Sequence, residues 1–207
     1  MLITLGVTLA SYLLGSLSFA VIISRVMGLS DPRSYGSHNP GATNVLRSGN
    51  KKAAILTLIL DAAKGWLPVF AVQHFGGEYV LGAGTAALAG IAAFVGHLYP
   101  VFFRFKGGKG VATAAGVLLG VNALFGLSVA LTWMIVAWFF RYSSLAALAA
   151  AVFAPAYYAF GGDVAWPYAE PILGTLIVMG LLLVWRHIDN INRLVAGKES
   201  KLGAKKK

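Results

Sequence analysis

Hydrophobic positions along this chain gather into long runs, and polar positions are confined to the short segments between them. The runs fall at 2–23, 53–74, 79–102, 124–140, 143–160 and 169–186. About 20 consecutive apolar residues span a bilayer as an α-helix. A further stretch, 111–121, is too short to cross alone and reads as a short or re-entrant helix, separated from the next by the Asn122–Gly126 region. The pattern predicts an all-α, polytopic integral membrane protein with about seven transmembrane helices, forming one domain over 1–207. Small residues fill several runs, as in 83–96 and the Gly116-x-x-x-Gly120 pair, and predict close helix packing.

Composition supports the pattern. The 207 residues are 58% hydrophobic and only 12% charged, with a mean hydropathy of +0.75. Soluble domains carry about a quarter charged residues, and a charge at the bilayer centre costs several kcal/mol. The absence of cysteine excludes disulfides, thiolate chemistry and Cys-ligated metals.

The net charge of +10 does not point to nucleic acid, because the basic residues lie between apolar runs, as membrane topology requires. With the N-terminus outside, every Lys and Arg except Lys64 falls in an inside segment: Arg25, Arg33, Arg47, Lys51 and Lys52, then Arg104, Lys106 and Lys109, then Arg141, then Arg186, Arg193 and the tail. The outside segments carry Glu78, Asp163 and Glu170. The expected topology is N-out and C-in, with 196–207 a solvated basic cytoplasmic tail near anionic lipid. The first run has no basic residue before it and Arg25 after it, so it reads as a helix rather than a cleaved signal.

Three polar clusters fall on the inside face. The first is Gly36-Ser37-His38-Asn39-Pro40-Gly41-Ala42-Thr43-Asn44, followed by Arg47. Its residues favour turns whose N–H groups converge on an anion, and Arg47 offers a two-pronged contact to phosphate. The second is Lys106-Gly107-Gly108-Lys109-Gly110, entering the helix that starts near Val111. Glycines admit close approach of a phosphate, and a helix N-terminus supplies N–H donors and positive potential. It lacks the spacer and the ending of a Walker A motif, so ATP is not implied. The third is Arg186-His187-Ile188-Asp189-Asn190-Ile191-Asn192-Arg193, where helical spacing puts His187 and Asn190 on one face. Each cluster also has a plain reading as an inter-helix loop or a structural histidine.

Asp61 and Lys64 lie one turn apart within a helix, where a mutual ion pair is the cheapest arrangement; a structural pair is favoured over a catalytic one. His97, near the inside end of the third helix, lines the site or caps the helix end. The four histidines show no metal-ligand spacing, so no metal and no cofactor are expected.

Taken together, these residues resemble the bacterial acyl-phosphate:glycerol-3-phosphate acyltransferase family. The resemblance runs from Tyr12-Leu13-Leu14-Gly15-Ser16 through 36–47, Asp61-x-x-Lys64-Gly65, Gly96-His97 and 106–110. It ends at Arg186-His187-x-x-Asn190-Ile191-x-Arg193-Leu194. It implies a multi-pass protein of the bacterial inner membrane with seven helices and a cytoplasmic site. The implied reaction moves a fatty acyl group from acyl phosphate to the 1-hydroxyl of glycerol 3-phosphate, giving lysophosphatidic acid and phosphate, the first acylation of phospholipid synthesis.

The resemblance also assigns Ser37, Arg47, Asn44 and the loop Lys106, Gly107, Gly108, Lys109 and Gly110 to substrate handling, with Ser37, His187 and Asn190 as the catalytic candidates. Either His187 or a substrate phosphate oxygen takes the proton. Membrane lipid and an enzyme producing acyl phosphate are the implied partners. Two positions depart from the family pattern: His38 stands where glycine is usual and Ser18 where proline is common. No His is followed by Asp five positions later, which sets the chain apart from the H-x-x-x-x-D acyltransferases. The rival classes are a transporter for a small phosphorylated anion and a non-catalytic lipid-binding protein.

Overall fold

The computed structural model describes residues 1–203 and is helical, with no strand among them beyond an isolated bridge between Gly162 and Trp166. The part of the basic tail at 204–207 lies outside the described residues. The chain forms two compact units, Met1–Val121 and Asn122–Lys207.

The first unit contains α1 (Leu2–Gly15), α2 (Phe19–Val26), α3 (Ala42–Leu46), α4 (Lys51–Phe75), α5 (Ala83–Leu98) and α6 (Val111–Val121). Helix α4 is its spine, packed on α1, α2, α3, α5 and α6. It starts at Asn50, whose side chain accepts the Ala53 N–H at 3.0 Å and so satisfies one of the open donors of the first turn. The predicted small-residue packing is present. A Cβ at Gly116 would strike the Ala62 carbonyl of α4, one at Gly65 the Thr113 carbonyl of α6, and one at Gly96 the Tyr12 carbonyl of α1. Backbones this close gain dispersion contacts that larger side chains would prevent.

The run expected as one helix at 2–23 is two, with a 45° bend between α1 and α2. Ser16 turns its hydroxyl back onto the Tyr12 carbonyl at 2.9 Å, and Ser18 has left helical geometry. The break frees the Leu17 carbonyl, which accepts from the Lys64 ammonium at 2.6 Å. A long-range contact thus compensates a local interruption, as a membrane interior demands.

The second unit contains α7 (Ala123–Phe140), α8 (Ser143–Gly161), α9 (Glu170–Arg186) and α10 (Ile188–Val195). Helix α8 packs on α7, α9 and α10. Asn122 starts α7 by accepting the Phe125 N–H at 3.1 Å, so 111–140 is two helices and not one. Helices α9 and α10 meet at 58°.

Among the described residues, four helical stretches are long and apolar enough to cross a membrane, and six when each bent pair is taken as one span; α6 is apolar but shorter. Their outer faces carry exposed Leu5, Leu9, Ile55, Ile59, Leu127, Trp138, Phe139 and Leu181. Apolar surface this extensive marks a lipid-facing exterior.

Candidate functional site

In the first unit, the two polar loops meet at the ends of α3, α5 and α6. The 36–44 loop is shaped from inside by Asn44, which is buried. Its Oδ1 accepts the Ser37 N–H at 3.0 Å, and its Nδ2 donates to the carbonyls of Pro32 at 2.6 Å and Tyr35 at 3.1 Å. Arg47 reaches the same Oδ1 at 3.5 Å. Asn44 therefore spends its amide on the loop, while Ser37 and Arg47 are exposed. Gly36 has φ +63° and no room for a Cβ beside Asn44 Oδ1. His38 adopts φ +54°, the left-handed region that glycine enters without strain. Its Nδ1–H donates to the Arg33 carbonyl at 3.1 Å, which offsets the strain of its conformation. Beside it, the Arg33 guanidinium holds the Asp31 carboxyl below its ordinary value and is itself raised by the pairing.

The 106–110 loop is seated on the end of α5. The Gly108 N–H donates to the His97 carbonyl at 3.1 Å. A Cβ at Gly107 would strike the carbonyls of His97 and Leu98. One at Gly108 would strike His97 Nε2 and lie 2.9 Å from the Pro40 carbonyl. Gly110 has φ +84° and opens α6, its carbonyl accepting the Ala114 N–H at 2.7 Å. Lys106 is exposed and Lys109 half-buried, so two ammonium groups flank a loop whose glycines are buried. Behind it, Lys64 Nζ lies 2.8 Å from Asp61 Oδ1, and His97 Nδ1 lies 3.6 Å from that oxygen. The predicted ion pair is present, and His97 faces it.

In the second unit, His187 sits in the break between α9 and α10 and is buried, as is Asn190. His187 caps the start of α10, its carbonyl accepting the Ile191 N–H at 2.8 Å, and Asn190 follows in the first turn. His187 Nδ1 is 2.8 Å from the Leu183 carbonyl. A carbonyl only accepts, so Nδ1 carries the proton and Nε2 of the neutral ring carries the basic lone pair.

Glu199 is the residue that sequence reasoning missed. Its Oε1 accepts from Asn190 Nδ2 at 2.6 Å and from the Ser144 hydroxyl at 2.7 Å, and its Oε2 accepts from Arg193 Nε at 2.7 Å. Burial pushes its carboxyl up, but the hydrogen bonds from Ser144, Asn190 and Arg193 with the Arg193 charge outweigh this, and the net shift is downward. The segment around it is pinned at two points while Lys198, Ser200 and Lys201 stay exposed. The Leu202 N–H donates to the Arg141 carbonyl at 2.6 Å, and the Arg141 guanidinium donates to the Leu202 carbonyl at 3.0 Å. The tail is thus anchored at Glu199 and Leu202, with its lysines at 198 and 201 exposed. The signal was a lone carboxylate two residues after Gly197, inside a lysine-rich end.

Among the described residues, no three His, Asp or Glu side chains gather as a metal ion would require.

These loops sit on a helical body with an apolar exterior, and comparison with known proteins supplies the chemistry. The family described as glycerol-3-phosphate acyltransferase matches residues 5–197. The glycerol-3-phosphate acyltransferase of Albidiferax ferrireducens is 63% identical over 201 residues, covering 97% of this chain and 90% of the relative. That of Burkholderia pseudomallei strain 1710b is 63% identical over 202 residues, covering 97% and 96%. The crystal structure of PlsY (YgiH), an integral membrane glycerol 3-phosphate acyltransferase, in its glycerol 3-phosphate form superposes with a TM-score of 0.87 at 40% identity, covering 97% of this chain and 96% of that one. Its lysophosphatidic acid form gives 0.84 at the same identity. Fold, exterior and relatives define an integral membrane acyltransferase. The chain belongs to the glycerol-3-phosphate acyltransferase family.

Proposed function

We propose that this protein transfers a fatty acyl group from acyl phosphate to the 1-hydroxyl of glycerol 3-phosphate, releasing lysophosphatidic acid and inorganic phosphate. The observation that carries this reading is the junction at Gly108, where the 106–110 loop abuts Pro40 of the 36–44 loop. These two glycine-bearing segments, with Arg47, Lys106 and Lys109, form the proposed phosphate-binding surface beside the start of α6. Solved forms of the related PlsY with glycerol 3-phosphate and with lysophosphatidic acid support the same substrate and product.

In the proposed reaction the 1-hydroxyl oxygen attacks the carbonyl carbon of acyl phosphate. A carbon–oxygen ester bond forms, and the anhydride bond to phosphate breaks, its electron pair leaving on phosphate. Phosphate is a good leaving group, so no covalent enzyme intermediate is needed. The hydroxyl proton goes to His187 Nε2 or to a phosphate oxygen. The 106–110 loop with its lysines holds the phosphate of glycerol 3-phosphate. Arg47 and Ser37 hold phosphate oxygens and stabilise developing charge. Asn44 acts by shaping the loop that presents them, and Asn190, held by Glu199, orients substrate.

We further propose seven spans, N-out and C-in, in the bacterial inner membrane, with these residues facing the cytoplasm. The charge distribution supports this orientation. An acyl-phosphate-producing enzyme is the natural partner.

The test is an assay of purified protein with acyl phosphate and glycerol 3-phosphate, without added metal or nucleotide. Formation of lysophosphatidic acid and phosphate is expected. Activity with acyl-CoA alone would overturn the donor assignment. Loss on chelation that added metal restores would overturn the metal-free one.

A further inference from the structure

Asp61, Lys64 and His97 are buried, and the proposed reaction gives none of them a task. A pair needing only mutual neutralisation would consist of Asp61 and Lys64. Here the same Asp61 Oδ1 that lies 2.8 Å from Lys64 Nζ also lies 3.6 Å from His97 Nδ1. Lys64 in turn is fixed by its bond to the Leu17 carbonyl and lies over the Phe19 ring. The carboxylate is thus held on one side by a braced cation and faces an imidazole on the other.

The far edge of that imidazole meets the glycine loop. His97 Nε2 occupies the space that a Gly108 side chain would need, and the His97 carbonyl takes the Gly108 N–H. One residue therefore sets Gly108 through both its ring and its backbone. Because the Gly108 N–H points at His97, donors for an anion come from the turn that follows, where α6 begins. The ring angle of His97 then decides where that turn is presented.

We propose that Asp61 and His97 are positioning residues: the Asp61 carboxylate orients the His97 ring, and the ring backs Gly108 so that the start of α6 meets the phosphate of glycerol 3-phosphate. This rests on the reading of the 106–110 loop as the glycerol 3-phosphate site. Acyl phosphate, held elsewhere, is insensitive to it.

The experiment uses full-length protein in detergent, as wild type, His97→Ala, His97→Asn and Asp61→Asn. Asparagine at 97 keeps a donor near the Nδ1 position while withdrawing the edge that backs Gly108. Initial rates are measured with each substrate varied, and unfolding temperatures with and without glycerol 3-phosphate. All three variants are expected to raise the KM for glycerol 3-phosphate by about tenfold or more, the scale of a lost charged contact, with the KM for acyl phosphate unchanged. Glycerol 3-phosphate is expected to raise the unfolding temperature of the wild type and to protect the variants less. Should His97→Ala fail to fold, His97→Asn decides; should Asp61→Asn fail because Lys64 is left without its carboxylate, Asp61→Asn combined with Lys64→Met takes its place. Folded variants with unchanged KM values, an equal rise in both KM values, no protection of the wild type, or equal protection of wild type and variants would overturn the proposal. A wild type that makes no lysophosphatidic acid removes the proposed reaction and leaves the protection experiment standing.

Discussion

Gly108 lies between two fixed surfaces, the His97 ring and the Pro40 carbonyl. Gly108→Leu must displace one of them, although both lysine charges remain. The expected result is normal membrane insertion with a raised KM for glycerol 3-phosphate or lost activity. A lost hydrogen bond to a charged group is worth roughly 1.5–3 kcal/mol, on the order of tenfold to hundredfold. Unchanged kinetics in a folded variant would reduce the loop to a topology signal. Glu199 gives a second prediction at this scale. Its carboxyl is depressed below the ordinary 4.5 in the folded state. A depressed carboxylate contributes stability that is fully present above its unfolded value and lost as the pH falls through the folded one. The unfolding temperature in detergent should therefore fall on acidification below about pH 4.5 in wild type, and less steeply in Glu199→Gln. Near neutral pH the variant should be less stable by about 1–3 kcal/mol, with lower kcat as Asn190 loosens. As candidates, Ser37, Arg47, Lys106 and His187 were legible from residue type and motif order. The role of Glu199 was not, because a single carboxylate in a basic end declares its partners only once residues 141–144 and 190–193 are folded around it.

At the scale of the element, run length predicted the cores of α4, α5, α7, α8 and α9 to within a few residues at most ends, because lipid rewards apolar length and little else. The bends at 16–18 and at His187 escaped it. Both lie in or beside stretches whose composition tolerates helix, and what stabilises the first is Lys64, 47 residues away. Lys64 therefore serves two elements, the α1–α2 break and the Asp61 pair. Lys64→Met leaves a buried carboxylate and a buried carbonyl without their cation. Breaking a buried pair from one side costs about 3–5 kcal/mol, enough to abolish most folded protein. Asp61→Leu with Lys64→Met removes both charges, and such apolar replacements are close to neutral. The double variant should recover most of the yield and unfolding temperature lost by the single one, as fluorescence-detected size exclusion would measure. A double variant no better than Lys64→Met would mean that the Leu17 carbonyl, and not the ion pair, dominates.

At the scale of the whole molecule the question is how α6, with 11 residues, takes part in the crossing pattern. Its length is about 16 Å, roughly half of a 30 Å hydrocarbon core. Its starting point resolves the shortfall. The 106–110 loop rests on His97, and His97 faces Asp61, which lies about 15 Å along α4 from Lys51. Helix α6 then runs beside α4, with Gly65 against Thr113 and Gly120 against Trp66 and Val69. On the proposed seven-span count it begins where α4 is already partway across and completes the remaining width. On that count α6 is a crossing, and the N-out orientation then puts Arg141 inside with the other basic residues between the apolar runs. Were 111–140 a single span, everything after it would invert and Arg186, Arg193 and the tail would face outward, against the charge rule. The chain has no cysteine, so single cysteines placed at Gly49, Gly162 and Gly203 report without background. In intact cells an impermeant thiol reagent should label the one at Gly162 and spare those at Gly49 and Gly203 until the membrane is opened. Labelling at Gly203 with protection at Gly162 would show that α6 turns back without crossing, and would overturn the proposed seven-span topology.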